Sequence, residues 1–129
     1  MESVTLHIPP IELEWSDWVQ WNSLKVDSRS GAGVIVPNGV PGVYEVRLIG
    51  EKQRRLTIGK ASALRWRIKQ GLVKGIAKHS SGTKIRRDED ISTIEVRWAK
   101  TDRPCAAEEE LHKRYRAGFG ELPKYTKCT

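Results

Sequence analysis

The stretch GVYEVRLIGEKQRRLTIGK, at positions 42–60, decides the predicted fold of this chain. Side chains alternate between two sides over 43–49, with Tyr44, Val46 and Leu48 on one of them, which is typical of a β-strand. Residues 50–53 predict a turn, and residues 54–59 then return as a second strand. We therefore expect a β-hairpin here.

A helix is expected directly after the hairpin, from Ala61 to Leu72. Ser62 is a candidate N-cap, since hydroxyl side chains are favoured at that position. The expected buried stripe has helical spacing and consists of Ala61, Leu64, Ile68 and Leu72. This stripe predicts that one face of the helix packs on the hairpin.

The remaining residues add one strand and one helix to the prediction. Residues 74–87 are rich in Gly, Ser, Lys and Arg and are expected to form a connector, whereas residues 91–99 alternate again and predict a third strand. Pro104 indicates the start of a helix that ends near Ala117. The predicted fold class is α+β, a small three-stranded antiparallel sheet flanked by helices. The residues expected to face inward from the last helix are Ala107, Leu111 and Tyr115.

The first forty residues differ from the rest, and we expect a Trp-rich N-terminal extension at 1–40 before a main domain at 41–129. Trp15, Trp18 and Trp21 lie three positions apart, which predicts a stripe along a helix or 3₁₀ segment. Two interpretations stay open. The stripe packs on the main domain as an extra lid, or it forms a surface for a homodimer or protein partner.

Length and composition restrict the class of protein. A chain of 129 residues is expected to form one domain, and two cysteines make neither a disulfide framework nor a structural zinc site. The lack of a long apolar run or a signal peptide predicts a cytoplasmic protein that does not enter membranes. Residues 1–40 carry two basic and five acidic side chains, and residues 41–129 carry 21 basic and 11 acidic ones. This basic second part is expected to attract polyanions through phosphate contacts.

Gly42-Val43-Tyr44 and the later Thr57-Ile58-Gly59 together resemble the two motifs of the GIY-YIG nuclease family, and the resemblance covers residues 42–126. Arg67 follows ten residues after Thr57, at the spacing of the arginine of that family. Glu108 lies on a later helix, in a setting similar to that of the glutamate of the family. The resemblance implies a nuclease that cuts nucleic-acid phosphodiesters with one divalent metal ion.

The resemblance also implies a role for each matching residue. Tyr44 would position or activate the attacking water, and Arg67 would hold the scissile phosphate. Glu108 would ligate Mg²⁺ or Mn²⁺, with Glu109 as the reserve candidate. Lys60 would assist the phosphate or lower the pKa of the phenol through its positive charge.

Three positions depart from the pattern of the family. Thr57 stands where the second tyrosine is usual, and a Thr hydroxyl with a bridging water would have to orient the nucleophile there. Gly71 replaces a histidine that often follows the arginine by one helical turn, so His79 is the nearest stand-in. Thr126 replaces an asparagine that supports the site.

Each of these residues also has an ordinary structural interpretation. Tyr44 would be a core residue, Arg67 a helix-surface arginine, and Glu108 an acid that complements a helix N-terminus. The leading hypothesis is a metal-dependent endonuclease acting on DNA, with RNA as an open alternative substrate. The competing hypotheses are a catalytically inactive nucleic-acid-binding module of the same fold and a protein-interaction domain.

Overall fold

The hairpin is present in the computed structural model of the protein, which describes residues 3–25, 33–73 and 81–126. Elements are numbered in chain order, and the hairpin consists of the fourth and fifth strands. A π-helical turn continues the first helix without a break. The strands are β1 (Val19–Gln20), β2 (Leu24–Lys25), β3 (Val34–Ile35), β4 (Gly42–Leu48), β5 (Thr57–Ala61) and β6 (Ile94–Lys100). The helices are α1 (Leu64–Arg67) with its π-helical turn (Ile68–Val73), α2 (Ser81–Asp88) and α3 (Pro104–Phe119), and 3₁₀ turns cover Trp21–Ser23 and Ile91–Thr93.

The main sheet is antiparallel, with the strand order β1-β6-β4-β5. Strand β4 lies in the centre, pairing with β5 from Gly42↔Ala61 to Val46↔Thr57 and with β6 along its whole length. A two-stranded parallel sheet, β2 with β3, lies apart from it. The α+β fold class is confirmed, but the main sheet has four strands rather than three.

The larger core lies between one face of this sheet and the helices that follow it. The stripe predicted at Ala61, Leu64, Ile68 and Leu72 is buried as expected, with each side chain at most 2% exposed. Full burial of a Leu or Ile side chain is worth about 1.5–3 kcal/mol, and α1 has only four residues, too few to be stable alone. Packing of the stripe on the sheet therefore holds this helix in place.

The predicted start of that helix is wrong. Ala61 is the last residue of β5, and the N-cap is Ala63, without a side-chain hydrogen bond, instead of Ser62. After Arg67 the helix widens into the π-helical turn, whose Leu72 carbonyl accepts from Arg86 of α2. This contact from another helix satisfies a backbone group that the wider turn leaves open.

Helix α2 was expected to be part of a connector. Its sequence is rich in Gly, Ser, Lys and Arg, and only Ile85 and Gly82 of its residues are buried. A Cβ atom at Gly82 would come within 2.0 Å of the Gly71 carbonyl oxygen, so the helix crosses the π-helical turn at very close range. Tertiary packing, which a local pattern does not show, stabilises this helix.

The Trp-rich segment does not form the predicted helical stripe. Strand β1 joins the main sheet through Val19↔Val96, and Trp21 is buried in the same core as Tyr44. Trp15 and Trp18 lie against arginine side chains of the sheet, as described below. Of the two interpretations, packing on the main domain is the one observed, and residues 1–40 contribute to its core. A homodimer or protein partner reached through these tryptophans stays a prediction.

Helix α3 agrees well with the helix predicted to start at Pro104. It begins at Pro104 and ends at Gly120, which adopts the left-handed conformation with φ of 77°. Ala107 packs with Val43 and Ala99 in a smaller core on the other face of the sheet, and Leu111 lies against it. In the described parts of the chain, no helix has the length and apolar character needed to cross a membrane.

Candidate active site

Tyr44 lies in the central strand directly opposite Gly59 of β5. Its ring covers Gly59 so closely that a Cβ atom there would lie 2.4 Å from the phenol oxygen. Only 8% of Tyr44 is exposed. The glycine of the second motif therefore has a direct physical purpose, because any side chain at position 59 would displace the phenol.

Two charged side chains act on this phenol. Burial raises the pKa of Tyr44 to about 12, the positive charge of Arg67 lowers it, and the negative charge of Glu108 raises it. The structure therefore brings together a strand, a short helix and a later helix that the sequence places far apart. At neutral pH the phenol keeps its proton and is able to donate a hydrogen bond.

Arg67 is the last residue of α1, and its side chain is exposed. A Cβ atom at Gly71 would lie 3.1 Å from Cδ of Arg67, so the arginine stem fills the room beside the glycine. A side chain at position 71 would therefore contact the stem of Arg67.

Glu108 projects from the second turn of α3 towards β5. Its carboxylate lies 3.8 Å from the Lys60 ammonium, with the Glu108 side chain 14% and the Lys60 side chain 47% exposed. Glu109 is exposed. The charge of Glu108 also reaches Tyr44, so the structure favours Glu108 over Glu109 as the carboxylate of this site.

The expected effect of Lys60 on Tyr44 is not what the structure shows. The cation that lowers the pKa of the phenol is Arg67, whereas Lys60 pairs with Glu108. The net shift of the Tyr44 pKa is upward, because burial outweighs the arginine charge.

Thr57 is buried and lies on the same face of the sheet as Tyr44. Its hydroxyl is 3.0 Å from the hydroxyl of Thr126, which also accepts a 3.0 Å hydrogen bond from the Ile58 amide. Strand β5 is an edge strand, so Thr126 satisfies a backbone donor that no further strand can reach. Thr57 and Thr126, two of the three departures from the family pattern, are thus hydrogen-bonded to each other.

His112 is a residue that the sequence analysis did not assign. It is buried, and Nε2 donates a 3.0 Å hydrogen bond to the Ile58 carbonyl, which ties α3 to β5 one helical turn beyond Glu108. The spacing of four residues between Glu108 and His112 was the available signal. His79, the expected stand-in histidine, lies outside the described residues.

A divalent metal ion is implied by the resemblance, and the donor chemistry fits a site with one protein carboxylate. No group of three His, Cys, Asp or Glu side chains able to hold a metal ion occurs in the ranges that the structure describes. Magnesium commonly keeps several waters and uses one or two carboxylates together with substrate phosphates. Glu108 matches that requirement, and its partner Lys60 is held only at 3.8 Å.

A buried carboxylate, Glu45, belongs to a structural cluster on the opposite face of β4 from Tyr44. It accepts hydrogen bonds from Arg55 at 3.1 Å and from Arg97 at 2.8 Å. The Trp18 ring lies over Arg97 at 4.6 Å, and the Trp15 ring at 4.2 Å. Two arginines bind this carboxylate beneath tryptophans, which explains the Trp-rich segment without a catalytic role.

Comparison with known proteins adds no relative. No protein-family model, no curated protein and no solved structure matches this chain.

Proposed function

We propose that this protein is a metal-dependent endonuclease that hydrolyses phosphodiester bonds of DNA. The observation that carries the proposal is the convergence of Tyr44, Arg67 and Glu108, since both charged groups act on the same phenol. These residues match the functional positions of the GIY-YIG family, and each comes from a different element of the fold. A phenol, a guanidinium and a carboxylate are the groups that this reaction requires.

The exposed Arg67 would bind the scissile phosphate, since a guanidinium matches the oxygens of a phosphate and stabilises charge that develops on them. Tyr44 would orient the attacking water by donating a hydrogen bond, because a phenol with a pKa of about 12 is protonated at neutral pH. Its contribution is positioning rather than proton removal.

Glu108 would hold Mg²⁺ or Mn²⁺ and separate from Lys60 when the ion binds, which leaves the ammonium to assist the phosphate. When bound, the ion would stabilise negative charge on the phosphate and on the leaving oxygen. By resemblance to the family, water attacks phosphorus and the bond from phosphorus to the 3′ oxygen breaks. The water loses one proton, the 3′ oxygen takes one up, and the products carry a 5′-phosphate and a 3′-hydroxyl.

Cleavage of supercoiled plasmid and branched DNA, with Mg²⁺ or Mn²⁺ and with chelator, tests this proposal. Glu108→Gln should abolish metal-dependent cutting. Glu110→Gln is the matched control, because Glu110 lies on the same helix but pairs with Arg114. Equal activity of the two variants would refute the assignment of Glu108, and no cutting by the wild-type protein would refute the nuclease.

One observation favours a second function, a nucleic-acid-binding module that does not cut. The Thr57 hydroxyl is engaged by Thr126 at 3.0 Å, so it is not directed to a water near Tyr44 in this arrangement. Salt-sensitive binding of DNA without cleavage in either metal would establish that function. Binding that is insensitive to salt would exclude both functions.

A further inference from the structure

A groove leaves the proposed active site along the side of α3 that faces β5. One cavity of about 620 Å³ is lined by Lys60, Glu108 and residues of the next two helical turns. A second cavity of about 710 Å³ lies beside the turn between β4 and β5. Both are lined by Arg116 and Leu122, so the two cavities lie next to each other, and together they are called the groove.

The lining of this groove is rich in basic side chains. Arg116 lies two helical turns after Glu108 on α3, Lys113 lines the same cavity, and Arg54 and Lys124 line the far cavity. In total, six basic and four acidic side chains line the two cavities. Four of the basic side chains form ion pairs, which are Lys60 with Glu108, Arg54 with Glu121, Arg55 with Glu45 and Lys124 with Glu89. A polyanion that leaves the site would meet successive positive charges along this path.

The lining of the far cavity includes one aromatic side chain, Tyr115. Its ring centre lies 4.5 Å from that of Phe119, which is outside the lining. The Arg54 guanidinium covers the Phe119 ring at 4.9 Å. A basic groove with aromatic side chains is the combination with which proteins bind single strands, through phosphate contacts and base stacking.

The dimensions suit a few nucleotides. Glu108 and Arg116 are eight residues apart on α3, which corresponds to about 12 Å along the helix. We infer that the groove binds the single nucleic-acid strand on one side of the scissile phosphodiester, with Lys113 and Arg116 on its phosphates and Tyr115 beside a base. The position of the cut within this strand rests on the proposed function. The binding of the strand does not.

Binding of a labelled oligothymidylate of about 20 nucleotides, longer than a typical single-strand site, tests the groove directly. The full chain is titrated in chelator at several salt concentrations, so that no cutting occurs. Lys113→Gln and Arg116→Gln should each weaken binding about fivefold at 0.1 M salt and reduce the slope of log K against log salt by about 0.7. Arg114→Gln removes the same charge from the other side of α3 and should change neither quantity.

The outcomes separate this inference from the proposed nuclease. In one outcome the wild-type protein cuts DNA, but Lys113→Gln and Arg116→Gln bind the oligonucleotide with the same affinity as the control Arg114→Gln. The groove assignment is then wrong, and the nuclease stands. If binding depends on the groove but no cutting occurs in either metal, the nuclease is wrong and the groove stands. Loss of folded structure is checked by circular dichroism, and a folded Lys113→Gln variant of unchanged affinity would overturn the inference by itself.

Discussion

Replacement of Gly59 by alanine is the sharpest test of the site geometry. The added Cβ atom would lie 2.4 Å from both Cζ and the oxygen of Tyr44, whereas ordinary contacts begin at 3.4 Å. The phenol must therefore move by about 1 Å or the two strands must separate. The ring lies in a core in which its neighbours Leu64, Val46 and Ile68 are fully buried, so little space is available for that movement.

The cost of this substitution follows from two opposing effects. Overpacking of a dense core typically costs about 1–3 kcal/mol, while alanine is favoured over glycine in a strand by roughly 0.5–1 kcal/mol. We expect Gly59→Ala to lower the free energy of unfolding by about 1–2 kcal/mol. If the nuclease proposal holds, a displacement of about 1 Å should also reduce cleavage on the order of 100-fold.

Gly118→Ala provides a control of opposite sign. Gly118 lies within α3, and nothing approaches within 4 Å of its missing Cβ atom, so alanine should stabilise the protein by about 0.5–1 kcal/mol. Urea denaturation of both variants and the wild-type protein measures the difference. A Gly59→Ala variant as stable as the wild-type protein would contradict this geometry, because the phenol would then not lie over Gly59.

Three further changes test the surroundings of the site. Tyr44→Phe should remove an alkaline loss of stability. The wild-type phenol keeps its proton up to a pKa of about 12, while the unfolded chain loses it near 10. The stability that is present below pH 10 therefore falls by about 2.3 kcal/mol at pH 12. Urea titrations at both pH values measure this loss, and equal losses in both proteins would contradict the raised pKa. Thr126→Val should lower the free energy of unfolding by about 1–3 kcal/mol and speed hydrogen exchange of the Ile58 amide, because this amide loses its acceptor. An unchanged exchange rate would show that the hydrogen bond is absent. Glu45→Leu should lower the free energy of unfolding by about 3 kcal/mol, because Arg55 and Arg97 lose their shared carboxylate. Thermal or urea unfolding measures this change, and a stability equal to that of the wild-type protein would argue against the buried cluster.

The hairpin and the buried stripe of α1 were predictable because their signals are local. Alternation with a period of two defines a strand, and spacing of three and four residues defines a helical face, wherever the segment later packs. Pro104 and Gly120 likewise restrict the backbone at the two ends of α3 through their own geometry. The expected positions of Tyr44, Thr57 and Gly59 in paired strands follow from the same local information.

Other elements depend on partners that are distant in the sequence. Strand β1 has only two residues and exists because Val19 pairs with Val96, so no periodic pattern marks it. The tryptophan spacing predicted a stripe along a helix or 3₁₀ segment. Only Trp21 lies in a 3₁₀ turn, whereas Trp18 contacts arginines of β4, β6 and the segment before β5. In both cases the local pattern permitted several conformations, and contacts across the sheet selected one.

The hairpin, the apolar face of α1, the extent of α3 and the basic charge of residues 41–129 follow from the amino-acid order, since each depends on neighbouring residues or on composition. The action of Arg67 and Glu108 on the Tyr44 phenol, the burial that keeps this phenol protonated and the bond between Thr57 and Thr126 arise only in the folded molecule. The physical reason is that pKa values and hydrogen-bond partners depend on burial and on distances between atoms, and these are established only when strands and helices from separate parts of the chain pack together.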